Sequence, residues 1–128
     1  MTGPLLFDTD VLIDYLRGQS DAVRLLQAEQ SEMRVSAASV AELYVGVRDE
    51  RERSVLDRLT DVLKVVDVNQ AIAQQAGLWR RDFGPSHGTG LMDAVIAACA
   101  SHSGSRLVTL NDRHFPMLDN VWVPYRKP

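Results

Sequence analysis

The stretch Leu5-Leu6-Phe7-Asp8-Thr9-Asp10-Val11-Leu12-Ile13-Asp14 constrains the fold more than any other. An unbroken apolar run stops at an acid. A second acid follows two residues later, and the apolar pattern then changes period. This is the pattern of a short buried strand, a turn and an amphipathic helix. In an open α/β sheet, ligands sit outside the carboxyl ends of the strands, so an acid ending the first strand faces that crevice. A plainer reading stands beside it. Asp8 ends the strand and Thr9 or Asp10 caps the helix, since acids are common at helix starts.

The rest of the chain repeats the alternation. Strands are expected at Leu5–Phe7, 33–35 (stopping at Ser36), 64–68 and 106–109, with a last edge strand at 121–123. A helix carrying Val11, Leu12, Tyr15 and Leu16 is stopped by Gly18. Asp21 is placed to cap a second helix, Ser39 to open a third and Asn69 to cap one reaching about Phe83. The charged run 49–53 reads as a solvated turn, followed by a helix marked by Val55, Leu56, Leu59, Val62 and Leu63. Residues 84–90 read as a loop, because two glycines and a proline within five residues break both regular patterns. Residues 91–102 form a strongly apolar helix with Asp93 in its first turn. The expected fold is therefore α/β: one domain over residues 1–128, with a mostly parallel central sheet flanked by helices.

Four acids fall at strand ends or helix starts: Asp8, Glu42, Asp93 and Asp112. Each has a local explanation. Ser39 with Glu42 fits a capping box, Asp93 is favoured by the helix dipole, and Asp112 suits a turn. Asp93 is nonetheless the only charge in a helix that otherwise reads as buried, and an unpartnered buried carboxylate is costly. Jointly, such positions converge at one end of a parallel sheet. Carboxylates gathered there repel one another unless a cation lies among them. With oxygen donors and no zinc-type spacing among His87, His102 and His114, the ion expected is Mg²⁺ or Mn²⁺. A carboxylate-held divalent ion activates water and stabilises charge on a phosphate, the chemistry of nucleases and phosphatases.

The motifs Phe7-Asp8-Thr9-Asp10-Val11-Leu12-Ile13, Ser39-Val40-Ala41-Glu42-Leu43, Leu91-Met92-Asp93-Ala94-Val95-Ile96-Ala97 and Val108-Thr109-Leu110-Asn111-Asp112-Arg113-His114-Phe115 resemble, in order, those of PIN-domain proteins. The chain resembles the VapC-type toxins of bacterial toxin–antitoxin pairs over nearly its whole length. The resemblance implies an Mg²⁺-dependent endoribonuclease, with Mn²⁺ as a possible substitute. Asp8, Glu42 and Asp93 then carry over as catalytic, metal-holding acids, with Asp112 as the fourth. At the fourth position Asn111 and Asp112 adjoin, and His114 stands where some relatives carry an acid. Asp10 departs from the small polar residue usual there, and either adds to the site or caps the helix. The resemblance also implies an RNA substrate, a homodimer and a cognate VapB-type antitoxin that blocks the acidic pocket. Tyr15, Leu16, Tyr44 and Val45 are candidates for that surface. Thr9, Ser39 and Thr109 are candidates to hold the carboxylates by hydrogen bonds.

Composition narrows the alternatives. A formal charge of −3 opposes a broad basic face for duplex DNA but leaves room for a local RNA patch. With a single cysteine, Cys99, no apolar run long enough to span a membrane and no signal-peptide pattern, the expected compartment is the cytoplasm. Cys99, among alanines and without a histidine partner, reads as a core residue. Trp79 and Trp122 read as core or interface residues. Arg48, Arg51, Arg53, Arg80 and Arg81 read as solvated faces, with Arg113 the better single choice for guiding an RNA backbone. Asp8-Thr9-Asp10 also resembles the nucleophile and acid pair of haloacid-dehalogenase-type phosphatases. That fold needs a well-placed lysine, and Lys64 and Lys127 are the only two here. A receiver domain needs a phosphorylatable aspartate after a central strand, whereas Asp67 falls within the third strand's own run. A non-catalytic PIN-like binding module, with its acids serving only as caps, is the remaining alternative.

Overall fold

A computed structural model describes residues 3–127. Four short strands, β1 (Leu5–Phe7), β2 (Met33–Ser36), β3 (Lys64–Val66) and β4 (Arg106–Val108), form one parallel sheet in the order β3-β2-β1-β4. Six helices surround it: α1 (Thr9–Leu16), α2 (Ser20–Ala28), α3 (Ala37–Val45), α4 (Glu50–Val62), α5 (Gln70–His87) and α6 (Leu91–His102). A 3₁₀ turn, Asp112–His114, follows β4. The expected mostly parallel α/β sheet is what is found.

β1 is central because it is apolar on both faces. Leu5 and Phe7 point into a core with Val11, Leu12, Leu43, Leu56 and Leu59, while Leu6 points the other way, into Ile72, Ala76, Ile96, Ala98 and Leu107. Side chains alternate across a strand, so a continuous apolar run demands cover on both sides. The small residues of α6, Ala94, Ala97, Ala98, Cys99 and Ala100, are fully or almost fully buried. Phe7 pairs with Val108 of β4, and the Asp8 amide donates to the Val108 carbonyl at 2.8 Å. The register therefore brings the ends of β1 and β4 level, and the segments leaving the two strands meet at one end of the sheet.

Several boundaries differ from the sequence expectation. Gln19, not Asp21, caps α2, its side chain accepting from the Ala22 amide at 2.8 Å. Ser36 caps α3, which starts at Ala37, so Ser39 and Glu42 lie inside the helix and form no capping box at its start. The run 49–53 is not a turn. Asp49 caps α4, and its acids sit in the first turn, where the helix dipole favours them. β3 ends at Val66, leaving Asp67 just beyond an edge strand, so the receiver-type comparison fails on topology too.

The largest difference is α5, which continues through Gly84 and Pro85 to His87. Proline is costly mid-helix because it removes a backbone bond and crowds the preceding turn. Here only two helical residues follow it. Gly88, at φ 68°, ends the helix with its amide on the Gly84 carbonyl at 3.0 Å. The connection to α6 thus shrinks to residues 88–90. β4 ends at Val108, and the expected strand at 121–123 is reduced to one parallel bridge between Trp122 and Val108. Among the described residues no helix is long and apolar enough to cross a membrane.

Candidate active site

Asp8 leaves β1 at the crevice and is only 7% exposed. Its Oδ1 accepts from the Thr9 amide at 2.7 Å, and its Oδ2 accepts from the Thr109 hydroxyl at 2.8 Å. Burial, then the neighbouring Asp10 charge, push its carboxyl up to about 7. The Thr109 and Thr9 hydrogen bonds oppose that rise, and the Asp93 charge adds to it. Asp10 is also raised, chiefly by burial. Its Oδ1 accepts from the Val11 amide at 2.7 Å and its Oδ2 from the Leu110 amide at 3.1 Å. Asp10 therefore ties the start of α1 to the segment after β4, which a small polar side chain does not reach as well. The Thr109 hydroxyl is the hub: it donates to Asp8, lies 3.4 Å from Asp10, and accepts from the Asn111 amide at 3.1 Å.

Glu42 is presented by α3 on an exposed position. The Thr9 hydroxyl stands 2.7 Å from its Oε1 and 2.9 Å from the Ser39 hydroxyl. Having one proton, Thr9 donates to the carboxylate and accepts from Ser39. Thr9 is the residue after Asp8, so this bond fastens Glu42 to the same strand end. The anticipated hydroxyls, Thr9, Ser39 and Thr109, are thus all bonded at the site.

Asp93, half-buried in the first turn of α6, accepts from the Gly90 amide at 3.0 Å, and His114 Nδ1 lies 3.3 Å away. The buried Thr89 hydroxyl donates to the His114 carbonyl at 2.8 Å, so the loop at 88–90 holds both residues. Asp112 stands exposed at the head of the 3₁₀ turn, and no hydrogen bond joins it to the other acids among the described residues. Asn111 is the member of that motif linked to the cluster, through Thr109 and a 3.3 Å approach of its Nδ2 to His114.

Among the described residues no lysine or arginine neutralises this cluster, and His114 approaches only Asp93. Among the described residues, the arginine and lysine ion pairs go to Asp21, Glu32, Glu52, Asp57, Asp82 and Asp14. A divalent ion fits by charge, since it would favour the ionised form of Asp8 against the burial and the Asp10 and Asp93 repulsion that raise it, and by donor type, since carboxylate oxygens suit Mg²⁺ and Mn²⁺. Among the described residues no three acid, histidine or cysteine side chains already converge tightly enough to hold an ion. The side chains would have to move inward to do so.

Sequence reasoning passed over Asp14, at 4% exposure one of the most buried acids. It accepts from the Tyr125 hydroxyl at 2.9 Å and from Lys127 Nζ at 2.7 Å, pinning the C-terminal segment to α1. Burial, then the bond to Asp14, raise the Tyr125 phenol, which stays protonated as the donor. The signal was an acid at a helix position where an apolar residue is expected. Cys99 is a core residue as expected, its thiol raised by burial and 3.3 Å from the Ser36 hydroxyl. Trp79 and Trp122 each pack at the edge of one core.

A four-stranded parallel sheet in the order β3-β2-β1-β4, with Asp8 and Asp10 leaving the carboxyl end of β1, defines a PIN-type α/β domain. The PIN domain family matches residues 5–120, and the chain belongs to that family. Its relatives include the protein named Ribonuclease VapC10 of Mycobacterium tuberculosis, 37% identical over 127 residues that span 97% of this chain and 95% of that one. Ribonuclease VapC19 of the same organism is 34% identical over 124 residues, spanning 94% and 98%. Among solved structures, a toxin–antitoxin complex from Klebsiella pneumoniae contains a chain that superposes with a TM-score of 0.83 at 26% identity, covering 96% of this chain and 99% of that one.

Proposed function

We propose that this chain is a divalent-ion-dependent endoribonuclease, the toxin of a VapBC-type pair. The observation that carries the reading is Asp8: a buried carboxylate, pushed up to about 7 beside Asp10 and Asp93, with no lysine or arginine paired to it. Similarity to proteins named as VapC ribonucleases supplies the substrate class. Asp8 and Asp93 would hold Mg²⁺, or Mn²⁺ in its place. Such an ion activates water and stabilises charge on a phosphate. Thr109 and the Thr9 amide keep Asp8 turned toward the crevice. Thr9 restrains one oxygen of Glu42 and leaves the other free to orient or deprotonate the attacking water. Asp112 completes the pocket. The water oxygen forms a bond to phosphorus as the opposite P–O bond breaks, and the departing oxygen takes up a proton.

The phosphatase alternative is disfavoured. Lys127 is bound to Asp14, and Lys64 begins an edge strand not adjacent to β1, so neither is placed to neutralise a phosphate beside Asp8. The binding-module alternative predicts no turnover. Incubation of purified protein with labelled RNA should give Mg²⁺-dependent fragments abolished by EDTA, and sequencing their ends defines the cleavage site. Intact RNA under all conditions would leave only the binding module.

The partner readings have a physical basis. A groove of about 660 Å³ between α1, α3 and α4 is lined by Ile13, Leu16, Leu43, Val47 and Leu56 and reaches Glu42. An antitoxin segment lying there would end at the acids. Val45 is 87% exposed on α3, whereas Tyr15 and Tyr44 are half-buried against the core. A homodimer is expected by light scattering, and the product of a neighbouring gene is expected to bind and inhibit.

A further inference from the structure

An acid pocket repels a phosphodiester, so the substrate's backbone must be drawn in by cations at the rim. Several cations are already engaged: Arg48 and Arg53 by Glu52 and Asp57, Arg81 by Asp82, and Lys127 by Asp14. Arg17, Arg51, Arg58, Arg80 and Arg113 are exposed, and among the described residues no carboxylate is ion-paired to any of them. Arg80 is set apart by what it lies against. Its guanidinium lies across Gly84, one helical turn on. A Cβ at Gly84 would come within 2.8 Å of Arg80 Cζ and still closer to Nη1, and it would lie 3.4 Å from the Thr89 carbonyl oxygen. The guanidinium and the Thr89 carbonyl therefore flank the same small space. The next residue, Gly90, supplies the amide bonded to Asp93.

Glycine inside a helix is unfavourable relative to alanine, and φ at Gly84 is not of the left-handed kind that requires it. The absent side chain is where the arginine lies. We propose that Arg80, laid across the bare Gly84, binds a backbone phosphate of the RNA and brings it to the Asp93 side of the acid pocket. This rests on the ribonuclease reading and adds the group that seats the substrate. Arg80 is a binding residue, and Gly84 a positioning residue that acts through it.

The test is fluorescence anisotropy with a labelled single-stranded RNA of mixed sequence, in EDTA, across a salt series. Arg80→Gln should weaken binding alike for different sequences and lower the log–log salt slope by about 0.7, the release expected for one phosphate contact on a single strand. Gly84→Ala, which displaces only the end of a flexible side chain, should weaken binding in the same direction. The double variant should bind no more weakly than Arg80→Gln alone, because both changes remove one contact. Arg81→Gln, which loses a cation already held by Asp82, should change the slope less. Equal loss in Arg81→Gln, an unchanged slope in Arg80→Gln, or additive losses in the double variant would each overturn the assignment. In Mg²⁺, wild-type cleavage that continues while Arg80→Gln binds normally removes only the role of Arg80. Wild-type protein that neither binds nor cleaves RNA removes the ribonuclease reading, and this role with it.

Discussion

The inner and outer parts of the acid cluster are held in different ways. Asp8 and Asp10 are fixed by three backbone amides and one hydroxyl, from Thr9, Val11, Leu110 and Thr109. Glu42 and Asp93 have one fixed donor each, Thr9 and Gly90, and Asp112 stands exposed. The inner pair has geometry without freedom and carries unrelieved charge. The outer acids have fewer fixed donors and more exposure. A cluster built this way suits an inner carboxylate that defines where an ion sits, with outer carboxylates that close on it or handle water.

The largest expected effect is on turnover. Asp8→Asn and Asp93→Asn should each lower RNA cleavage by roughly 10³-fold, because an ion contributes several kcal/mol to the transition state. Single-turnover rates in Mg²⁺ measure this. If Asp93→Asn cleaves at the wild-type rate, the outer acid is only a helix-start residue and the comparison breaks there.

The next effect is on stability. The folded-state pKa of Asp8 lies above its ordinary 3.8, so the folded protein binds a proton that the unfolded chain has released. The Asp8 contribution to metal-free stability should be full below about pH 4 and be lost as pH rises through about 7, a loss of up to about 4 kcal/mol. Asp8→Asn should flatten that decline. Millimolar Mg²⁺ should raise the wild-type melting temperature at pH 8 and leave the variant nearly unmoved. Urea titrations at pH 5 and 8, with EDTA and with Mg²⁺, decide it. A wild type whose stability rises over this range would show that Asp8 is not strained by charge.

Thr109→Val tests the lock on the inner pair. Losing the hydroxyl should cost roughly 1–2 kcal/mol, and more at pH 8 than at pH 5, because the donor favours the ionised form of Asp8. Equal losses at both pH values would make Thr109 a packing residue alone. The smallest effects should come from outside: Glu42→Gln and Asp112→Asn should change metal-free stability by no more than about 0.5 kcal/mol, while Glu42→Gln slows cleavage more than Asp112→Asn. The reverse ranking would place Asp112 nearer the reacting atoms.

The parts of this arrangement legible in the sequence are those dictated by local pattern. Leu5-Leu6-Phe7 is apolar on both faces and ends in an acid, and both the strand and the exit of Asp8 follow from that. The run from Leu91 to His102 is unambiguous, as is Asp93 in its first turn. Competing local signals hid the rest. Ser39-x-x-Glu42 matches a capping box, yet Ser36 had already capped the helix. Gly84-Pro85 reads as a break, yet only half a turn of helix had to survive it. The partnership of Asp14 with Tyr125 and Lys127 spans most of the chain, and no local pattern records it; Thr109, almost as distant from Asp8, was legible only through the family resemblance. Asn111 and Asp112 were indistinguishable because adjacent residues in a turn share every local signal.

The hydroxyl that fixes Asp8 lies 101 positions further along the chain. During synthesis β1 is made before either strand that flanks it, and Thr109, just behind β4, follows Asp8 by 101 positions. Until then Asp8 has neither the neighbouring strand nor the donor that aims it. Closing so long a loop is also slow, because entropy is lost before the contact forms. On the proposed ribonuclease reading, the site that would cut RNA is therefore completed only after Thr109 has been made and docked.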